Sequence, residues 1–227
     1  MKKLWLVGLV AVILCNCGKE NEGNSGALPP LPDPDDVCSA MDNIEFMNFC
    51  YEEFDANKDG KVSVREAEAV REISFAKREG LSGSLKGIER FPNLERLVCR
   101  SYYWASGEWY YAFSFAELDL RYNKMLKELL LHTCPNLVTL DLSRNTMLEE
   151  LSVCECNALN TLILPENLKE ISGYDCPTLQ KIICYAKNPP KCSLRFPEEC
   201  VVYVPASSVE AYKTTTLWMK LDIRPLN

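Results

Sequence analysis

The sequence predicts an α/β protein whose main part is a solenoid of about six coils, each of 20–22 residues with short parallel strands, preceded by a small helical segment. Three stretches of the form L-x-L-x-x-N predict the coils, and they begin at Leu118, Leu140 and Leu162, at intervals of 22 residues. A fixed period of this size with this signature is typical of a leucine-rich repeat solenoid. Looser copies extend the series on both sides, beginning at Leu97, Ile182 and Val202.

A second apolar pattern, L-x-x-L or L-x-x-I, lies halfway between these stretches and begins at Leu126, Leu148 and Leu168. In L-x-L the residues alternate between the two faces of a short strand, and the asparagine can hydrogen-bond the turning backbone where the strand ends. Each coil then has two apolar edges, which only stacking against neighbouring coils can bury. The alternative is chance clustering of leucines in an ordinary α/β domain.

Composition excludes several classes of function. The net charge is −7 and the sequence has no basic stripe, so nucleic acid is not expected as a partner. A single histidine, His132, leaves little room for histidine-based catalysis, and Cys154 has no histidine near it in sequence. Motifs of serine hydrolases, zinc proteases and phosphate-binding loops are missing from the sequence. We therefore expect a monomeric protein that is not an enzyme.

Residues 1–17 are typical of a bacterial lipoprotein signal peptide. Two lysines precede an apolar run from Leu4 to Leu14, which is too short to span a bilayer. The sequence Leu-Cys-Asn-Cys at its end resembles a lipobox, with Cys17 as the residue that is lipidated. A plain secreted protein is the alternative. Residues 18–37 are rich in Gly, Asn, Glu and Pro and are predicted to be a flexible tether.

Residues 38–78 are predicted to form a helix, a calcium loop and a second helix. Ser39 is the expected N-cap of the first helix, and the second is expected to continue to Ile73. The run from Asp55 to Glu66 matches the EF-hand pattern D-x-[DN]-x-[DN]-G-x₅-E at every defined position. The predicted Ca²⁺ ligands are Asp55, Asn57, Asp59, the Lys61 carbonyl, Ser63 and Glu66.

Binding of Ca²⁺ to this loop is expected to be weak. The sequence contains no second EF-hand loop to pair with it, and two lysines, Lys58 and Lys61, lie among the ligands. These features predict a Kd on the order of 10⁻⁴–10⁻³ M, as in extracellular modules. The alternative is an acidic turn that holds no metal.

Residues 79–200 are assigned to the repeats and residues 201–227 to a C-terminal cap. The cap is expected to contain a short helix after Ser207 or Ser208 and to cover the core with Trp218. Three cysteines recur one coil apart and are predicted to be a ladder of buried thiols: Cys134, Cys156 and Cys176. Better candidates for disulfides are the pairs Cys38–Cys50 and Cys192–Cys200.

Beyond Cys17, the chain resembles Bacteroidetes surface lipoproteins that carry a DxNxDGxxSxxEA segment before internalin- or BspA-like leucine-rich repeats. The segments 182–190 and 202–212 are similar to that family's closing coil and C-terminal cap. The resemblance implies a lipid anchor in the outer membrane, exposure at the cell surface and a binding function without a defined substrate.

Two surfaces are candidates for binding a protein or a glycan. The stretch 102–113 is aromatic at seven of its twelve positions, more than a coil can bury, although packing against the N-terminal helices is an alternative. The outward strand positions are the second candidate, with a solvated face as the alternative. The candidate partner-binding residues are Tyr102, Trp104, Trp109, Tyr111, Asp119, Asp141 and Tyr185. The sequence thus favours a surface-anchored, calcium-binding adhesion module, and the alternative is a structural envelope lipoprotein with no soluble ligand.

Overall fold

The structure is a computed structural model. It describes residues 28, 31, 34–76, 83–100 and 113–226, together with the backbone of residues 102–105 and 108–111. All helices and strands among them belong to one compact unit, Leu31–Asn227. The predicted signal peptide, Cys17 and most of the predicted tether lie outside the described residues. Within the described part, no helix is long and apolar enough to cross a bilayer.

The N-terminal part contains a 3-10 helix, Val37–Ala40, and two α-helices, α1 (Ile44–Phe54) and α2 (Val64–Ala69). Helix α1 begins after Asn43, whose side chain accepts hydrogen bonds from the backbone N–H groups of the first turn. The prediction of Ser39 as this N-cap is therefore wrong. The prediction that the second helix reaches Ile73 is also wrong, because the chain leaves α2 at Ala69 and enters the first strand.

Within the described ranges, thirteen strands follow in the order β1 (Glu72–Ser74), β2 (Arg96–Arg100), β3 (Tyr102–Ala105), β4 (Glu108–Tyr111), β5 (Glu128–His132), β6 (Thr139–Asp141), β7 (Glu150–Cys154), β8 (Thr161–Leu164), β9 (Glu170–Tyr174), β10 (Lys181–Cys184), β11 (Lys191–Cys192), β12 (Val201–Val204) and β13 (Asp222–Pro225). Helix α3 (Val209–Thr214) and three further 3-10 helices, Ile88–Arg90, Ala206–Ser208 and Trp218–Lys220, lie between or beside them.

Eleven of these strands form two parallel sheets, one along each side of the solenoid. The six-stranded sheet has the order β1-β2-β5-β7-β9-β11, and the five-stranded sheet has the order β13-β12-β10-β8-β6. In the five-stranded sheet Leu140 pairs with Leu162, and Leu162 pairs with Ile182. This stacking of one coil on the next confirms the predicted leucine-rich repeat solenoid of about six coils. The stacked strands run from Glu72 to Pro225, so strands on both sides of the range 79–200 predicted for the repeats also belong to the stack.

The phase predicted for the first coils is wrong. Leu97 pairs with Leu129 in the six-stranded sheet and does not continue the column of Leu140 and Leu162. The residues around Leu118 and Leu120 are not a strand, although Leu120 is fully buried. Strands form at the half-period pattern L-x-x-L as regularly as at L-x-L. The strands of the two sheets are therefore similar in sequence, and an isolated copy of either pattern does not show which sheet it belongs to.

Asparagine side chains join successive coils where the turns are long. The Asn145 side-chain amide donates to the carbonyls of Leu120 (2.9 Å) and Asn123 (3.0 Å) in the preceding coil. Asn123 itself makes the same pair of bonds one coil earlier, to Ile88 and Phe91. Asn167 differs, because it is exposed and donates only to the Thr146 carbonyl. The turn that follows Leu164 is two residues shorter than the turn that follows Leu142. Asn167 therefore lies on the outside of a tighter turn.

Aromatic side chains close the core at both ends. At the N-terminal end Phe75 packs against Phe49 and Phe113, with ring centroids 4.8 and 5.5 Å apart. At the C-terminal end Trp218 is fully buried and its indole N–H donates to the Pro190 carbonyl at 2.8 Å. The prediction that Trp218 covers the core after a short helix is confirmed.

The ten cysteines in the described ranges are free thiols, and nine of them are buried. Cys134, Cys156 and Cys176 are all buried, and the Sγ atoms of Cys156 and Cys176 point at the carbonyls of Leu131 (3.8 Å) and Val153 (3.9 Å) one coil earlier. The predicted ladder of buried thiols is confirmed. The predicted disulfides Cys38–Cys50 and Cys192–Cys200 are not formed in the structure, since all four cysteines are free. Cys192 directs its Sγ atom at the Leu194 carbonyl at 3.8 Å.

Candidate functional site

A row of outward side chains crosses the five-stranded sheet from edge to edge. Strand pairing places these residues in register, each beside the next, in the order Asp141, Ile163, Ile183, Tyr203 and Arg224. Within each strand the neighbours of a row member are buried, except Pro225 at the edge, because alternate residues of a strand point to opposite faces. We call these five residues the outer row. Its three central members are half-buried, and its two terminal members are exposed and of opposite charge.

Aromatic groups extend the apolar centre of the outer row. Tyr185 follows β10 on the outward side and is 43% exposed. The Lys181 ammonium lies 5.5 Å from the centre of the Tyr203 ring, and Arg224 at the edge forms an ion pair with Asp222 at 2.6 Å. The face therefore has an aliphatic and aromatic centre with charges of both signs at its margin.

The predicted residue Asp119 lies beyond the Asp141 end of the outer row. Its carboxylate accepts two hydrogen bonds from the Arg121 guanidinium, at 2.9 and 2.8 Å, and these bonds lower the pKa of Asp119. The charge of Asp141 contributes to the raised pKa of Arg121, so the two aspartates share one neighbouring cation. Of the predicted partner-binding residues, Asp119, Asp141 and Tyr185 therefore lie at the five-stranded sheet.

The outward charges of the six-stranded sheet are largely paired with each other. Arg96 bridges Glu72 and Glu128, with both N···O distances at 2.6 Å. A neighbouring column holds the pairs Glu95–Lys127 at 2.7 Å and Glu149–Lys169 at 2.8 Å. Exposed pairs of this kind add little stability, but they satisfy one another without a partner.

The aromatic stretch forms an antiparallel hairpin between β2 and Phe113. In its register Tyr102 pairs with Tyr111, and Trp104 pairs with Trp109. Strands β3 and β4 make a separate two-stranded sheet, so the backbone of this stretch belongs to neither of the two parallel sheets. The side chains of Tyr102, Trp104, Trp109 and Tyr111 lie outside the described residues, so their role in binding stays a prediction.

Cys154, which has no histidine near it in sequence, lies beside His132 in the six-stranded sheet. Cys154 pairs in register with His132 of the adjacent strand, and Ser152 lies between them, 3.2 Å from the imidazole Nε2 and 3.8 Å from the thiol. The two residues are 22 positions apart, which is one coil, and that spacing is the sequence signal. Cys154 is 4% exposed and burial raises the pKa of its thiol. The thiol is therefore not activated as a nucleophile.

The predicted calcium loop has the backbone that its sequence requires. The Asp55 carboxylate accepts from the backbone N–H groups of Asp59 (3.2 Å) and Gly60 (2.9 Å), which closes the turn. Gly60 has φ +84° and Lys58 has φ +59°, so the chain bends sharply at both positions. The Asp59 N–H is shared with the Asn57 side-chain oxygen at 2.9 Å, which places oxygens of Asp55 and Asn57 beside each other.

Glu66 spans this loop from its far end. One carboxylate oxygen accepts from the N–H groups of Ala56 (2.9 Å) and Asn57 (3.2 Å), and the other accepts from the Ser63 N–H (2.9 Å) and hydroxyl (2.8 Å). The bonds from Ser63 lower the pKa of Glu66. In the described ranges, no three His, Cys, Asp or Glu side chains converge as a metal site. The oxygen-only donor set and the bend at Gly60 nevertheless fit Ca²⁺, and Glu66 would have to exchange its bonds to Ala56 and Asn57 for the ion.

A backbone contact from the segment before α1 supports the predicted calcium loop. Val62, at position eight of the loop, accepts a backbone hydrogen bond from Val37 at 2.9 Å and donates to the Asp36 carboxylate at 3.2 Å. The short segment before α1 therefore supports the loop. No sequence pattern identified Asp36 or Val37, because both were assigned to the tether.

No family model matches the chain, and no curated protein matches it. Among solved structures, the chain is similar to an internalin from Listeria monocytogenes, with 14% identity over 88% of this chain and 79% of that chain and a TM-score of 0.29. The fold follows from the strand pairing above, and this similarity carries no argument about function.

Proposed function

We propose that the chain is a binding module whose five-stranded sheet holds a protein partner at the outer row. The observation that carries the proposal is the in-register apolar centre of that row, Ile163, Ile183 and Tyr203, which faces outward from the sheet. Aromatic and aliphatic groups at the centre of a patch, with charges at the rim, are typical of protein interfaces. The outward charges of the six-stranded sheet are largely paired with each other, so the five-stranded sheet is the better candidate for binding a partner.

The experiment places a photo-crosslinking amino acid at Ile183, in the centre of the outer row, and in a matched chain at Glu150, which is exposed on the other sheet. Both chains are irradiated in the native envelope. A discrete adduct from position 183, reduced at least tenfold by Tyr185→Ala together with Tyr203→Ala, supports the proposal if the melting temperature of the double variant stays close to that of the parent. Adducts of equal yield from both positions contradict it.

A glycan array tests whether the outer row binds a glycan instead of a protein. Glycan binding that needs Tyr185 and Tyr203, without a protein adduct, assigns the face to glycan. The absence of both the protein adduct and glycan binding would favour a structural envelope lipoprotein with no soluble ligand.

We also propose that the loop from Asp55 to Glu66 binds Ca²⁺ through the six predicted ligands. The closed turn at Gly60 and the position of Glu66 support this. At millimolar Ca²⁺ such a site would add about 1 kcal/mol of stability. Terbium luminescence that Ca²⁺ displaces should be lost in Asp55→Asn and retained in the control Glu68→Gln, an exposed acid just outside the loop. Equal luminescence from both variants would contradict the site.

The lipid anchor at Cys17, an outer-membrane location and exposure at the cell surface are proposals that rest on the sequence resemblance. Metabolic labelling with a palmitate analogue should mark the wild type and Cys15→Ala, but not Cys17→Ala. Label that survives Cys17→Ala would assign the anchor elsewhere. Protease added to intact cells tests surface exposure.

A further inference from the structure

The proposed calcium loop is held by a carboxylate that lies outside it in the sequence. Asp36, in the segment before α1, accepts the backbone N–H of Val62 at 3.2 Å and that of Cys38 at 3.0 Å with one side-chain oxygen. The other oxygen accepts from the Tyr51 hydroxyl at 2.7 Å. Val62 is fully buried and is the eighth residue of the loop. One carboxylate therefore joins the loop to α1 and to the 3-10 helix before it.

The hydrogen bond from Val62 also sets the direction of a predicted calcium ligand. The Val62 N–H and the Lys61 carbonyl belong to the same peptide group, which is trans. In a planar trans peptide the N–H and the carbonyl point in opposite directions. Because the N–H is directed at Asp36, the Lys61 carbonyl is directed away from it. Rotation of this peptide group would break the bond to the carboxylate.

The next peptide group connects the same segment to a second predicted ligand. The Val62 carbonyl accepts from the Val37 N–H at 2.9 Å. At the other end of that group, the Ser63 N–H donates to a Glu66 carboxylate oxygen, also at 2.9 Å. Hydrogen bonds at the two ends of one peptide group polarise each other. The segment before α1 thus reaches one ligand through the first peptide group and Glu66 through the second.

We propose that Asp36 is a positioning residue of the calcium site, which fixes the peptide group of the Lys61 carbonyl so that this ligand is oriented before Ca²⁺ binds. This inference rests on the proposed calcium site. A backbone carbonyl turns only with its peptide group, so the hydrogen bond of that group controls the ligand directly. Partners that orient metal ligands typically change metal affinity by about 10–100-fold. Because Asp36 is only half-buried, we expect an effect near the lower end of that range.

Terbium titration of the full chain tests the proposal against a control that is matched in charge. Asp36→Ala should weaken terbium binding about tenfold. Asp36→Asn keeps an acceptor oxygen and should cause a smaller loss. The control Asp35→Asn removes the same charge from the exposed neighbouring residue, and its affinity should stay within about twofold of the wild type because an exposed charge is screened.

The luminescence lifetime in H₂O and in D₂O provides a second readout, which is the number of water molecules on the bound terbium. If the Lys61 carbonyl no longer ligates, water takes its place, so Asp36→Ala should hold about one more water than the wild type. Asp36→Asn and Asp35→Asn should keep the wild-type number. A variant that is folded but less stable would also keep that number. The melting temperature without metal shows whether each variant is folded.

Equal affinities of Asp36→Ala and Asp35→Asn would overturn the proposal. A weaker Asp36→Ala site with the wild-type number of waters would also overturn it, because Asp36 would then act only through its charge or through stability. If Asp36→Ala does not fold, Asp36→Asn decides, and an affinity equal to that of Asp35→Asn contradicts the proposal. If terbium does not bind the wild type, the calcium site is refuted and this inference with it, whereas wild-type binding without an effect of Asp36 refutes the inference alone.

Discussion

Replacement of Gly173 by alanine tests the stacking of the coils at its tightest point. Gly173 lies in β9, pairs with Val153 of β7 and has φ +146°, a conformation that residues with a side chain rarely adopt. A Cβ atom built there would lie 1.7 Å from the Val153 carbonyl oxygen and 2.7 Å from its carbonyl carbon. The obstacle is backbone, so no rotation of a side chain can relieve it.

The expected loss can be worked out from these contacts. Non-bonded carbon atoms normally approach to about 3.5–4.0 Å, so β9 would have to move away from β7 by about 1.5 Å or more. A shift of that size breaks the local sheet hydrogen bonds, which contribute about 1 kcal/mol each. The backbone conformation adds on the order of 1–3 kcal/mol. Together these terms predict that Gly173→Ala lowers the free energy of unfolding by about 3–5 kcal/mol.

Urea denaturation followed by far-ultraviolet circular dichroism measures this loss. The matched control is Ser172→Ala, on the same strand with an outward side chain, which should change the free energy of unfolding by less than about 1 kcal/mol. If Gly173→Ala behaves like the control, β9 does not approach β7 as described, and the register of the six-stranded sheet is wrong.

Two further predictions concern other parts of the solenoid. Asn145→Ala leaves two buried carbonyls without their side-chain donor and should lower the free energy of unfolding, measured by urea denaturation, by about 2–4 kcal/mol. The control Asn167→Ala, at an exposed position, should lower it by less than about 1 kcal/mol. Equal losses in the two variants would argue against the internal asparagine ladder. Burial and the charge of Arg100 lower the pKa of His132, so the unfolded chain binds a proton at a higher pH than the native protein, and acid favours unfolding below about pH 6.5. His132→Gln should therefore lose less stability than the wild type between pH 7.5 and pH 5, and parallel pH profiles of the two proteins would contradict this.

The sequence was most informative where a pattern repeats. The period of 22 residues fixed the stacking of Leu140 on Leu162, and the twelve-residue motif located the bend at Gly60. Both inferences hold because a local pattern sets each coil or turn, and the neighbouring copy only has to repeat it. The sequence pattern did not identify the structure where the same pattern occurs in strands of both sheets. Leu97 fits either sheet, and only pairing with Leu129 shows which it joins.

The candidate site required tertiary structure for a different reason. The outer row is made of residues from five strands, and no local property of Ile163, Ile183 or Tyr203 distinguishes them from other alternating strand residues. Their register depends on how many residues each turn contains, and turn lengths vary from coil to coil. The same holds for His132 beside Cys154, which are neighbours only because one coil separates them.

By itself, then, the sequence determined that the chain winds into stacked coils behind a helical segment with an oxygen-rich loop, because these features depend on residues close together in the chain. Only the tertiary structure decided which side chains share a face, which carbonyl Gly173 approaches and that His132 lies beside Cys154. Those relations depend on distances through space between coils and helices, and the spacing of residues along the chain does not specify them.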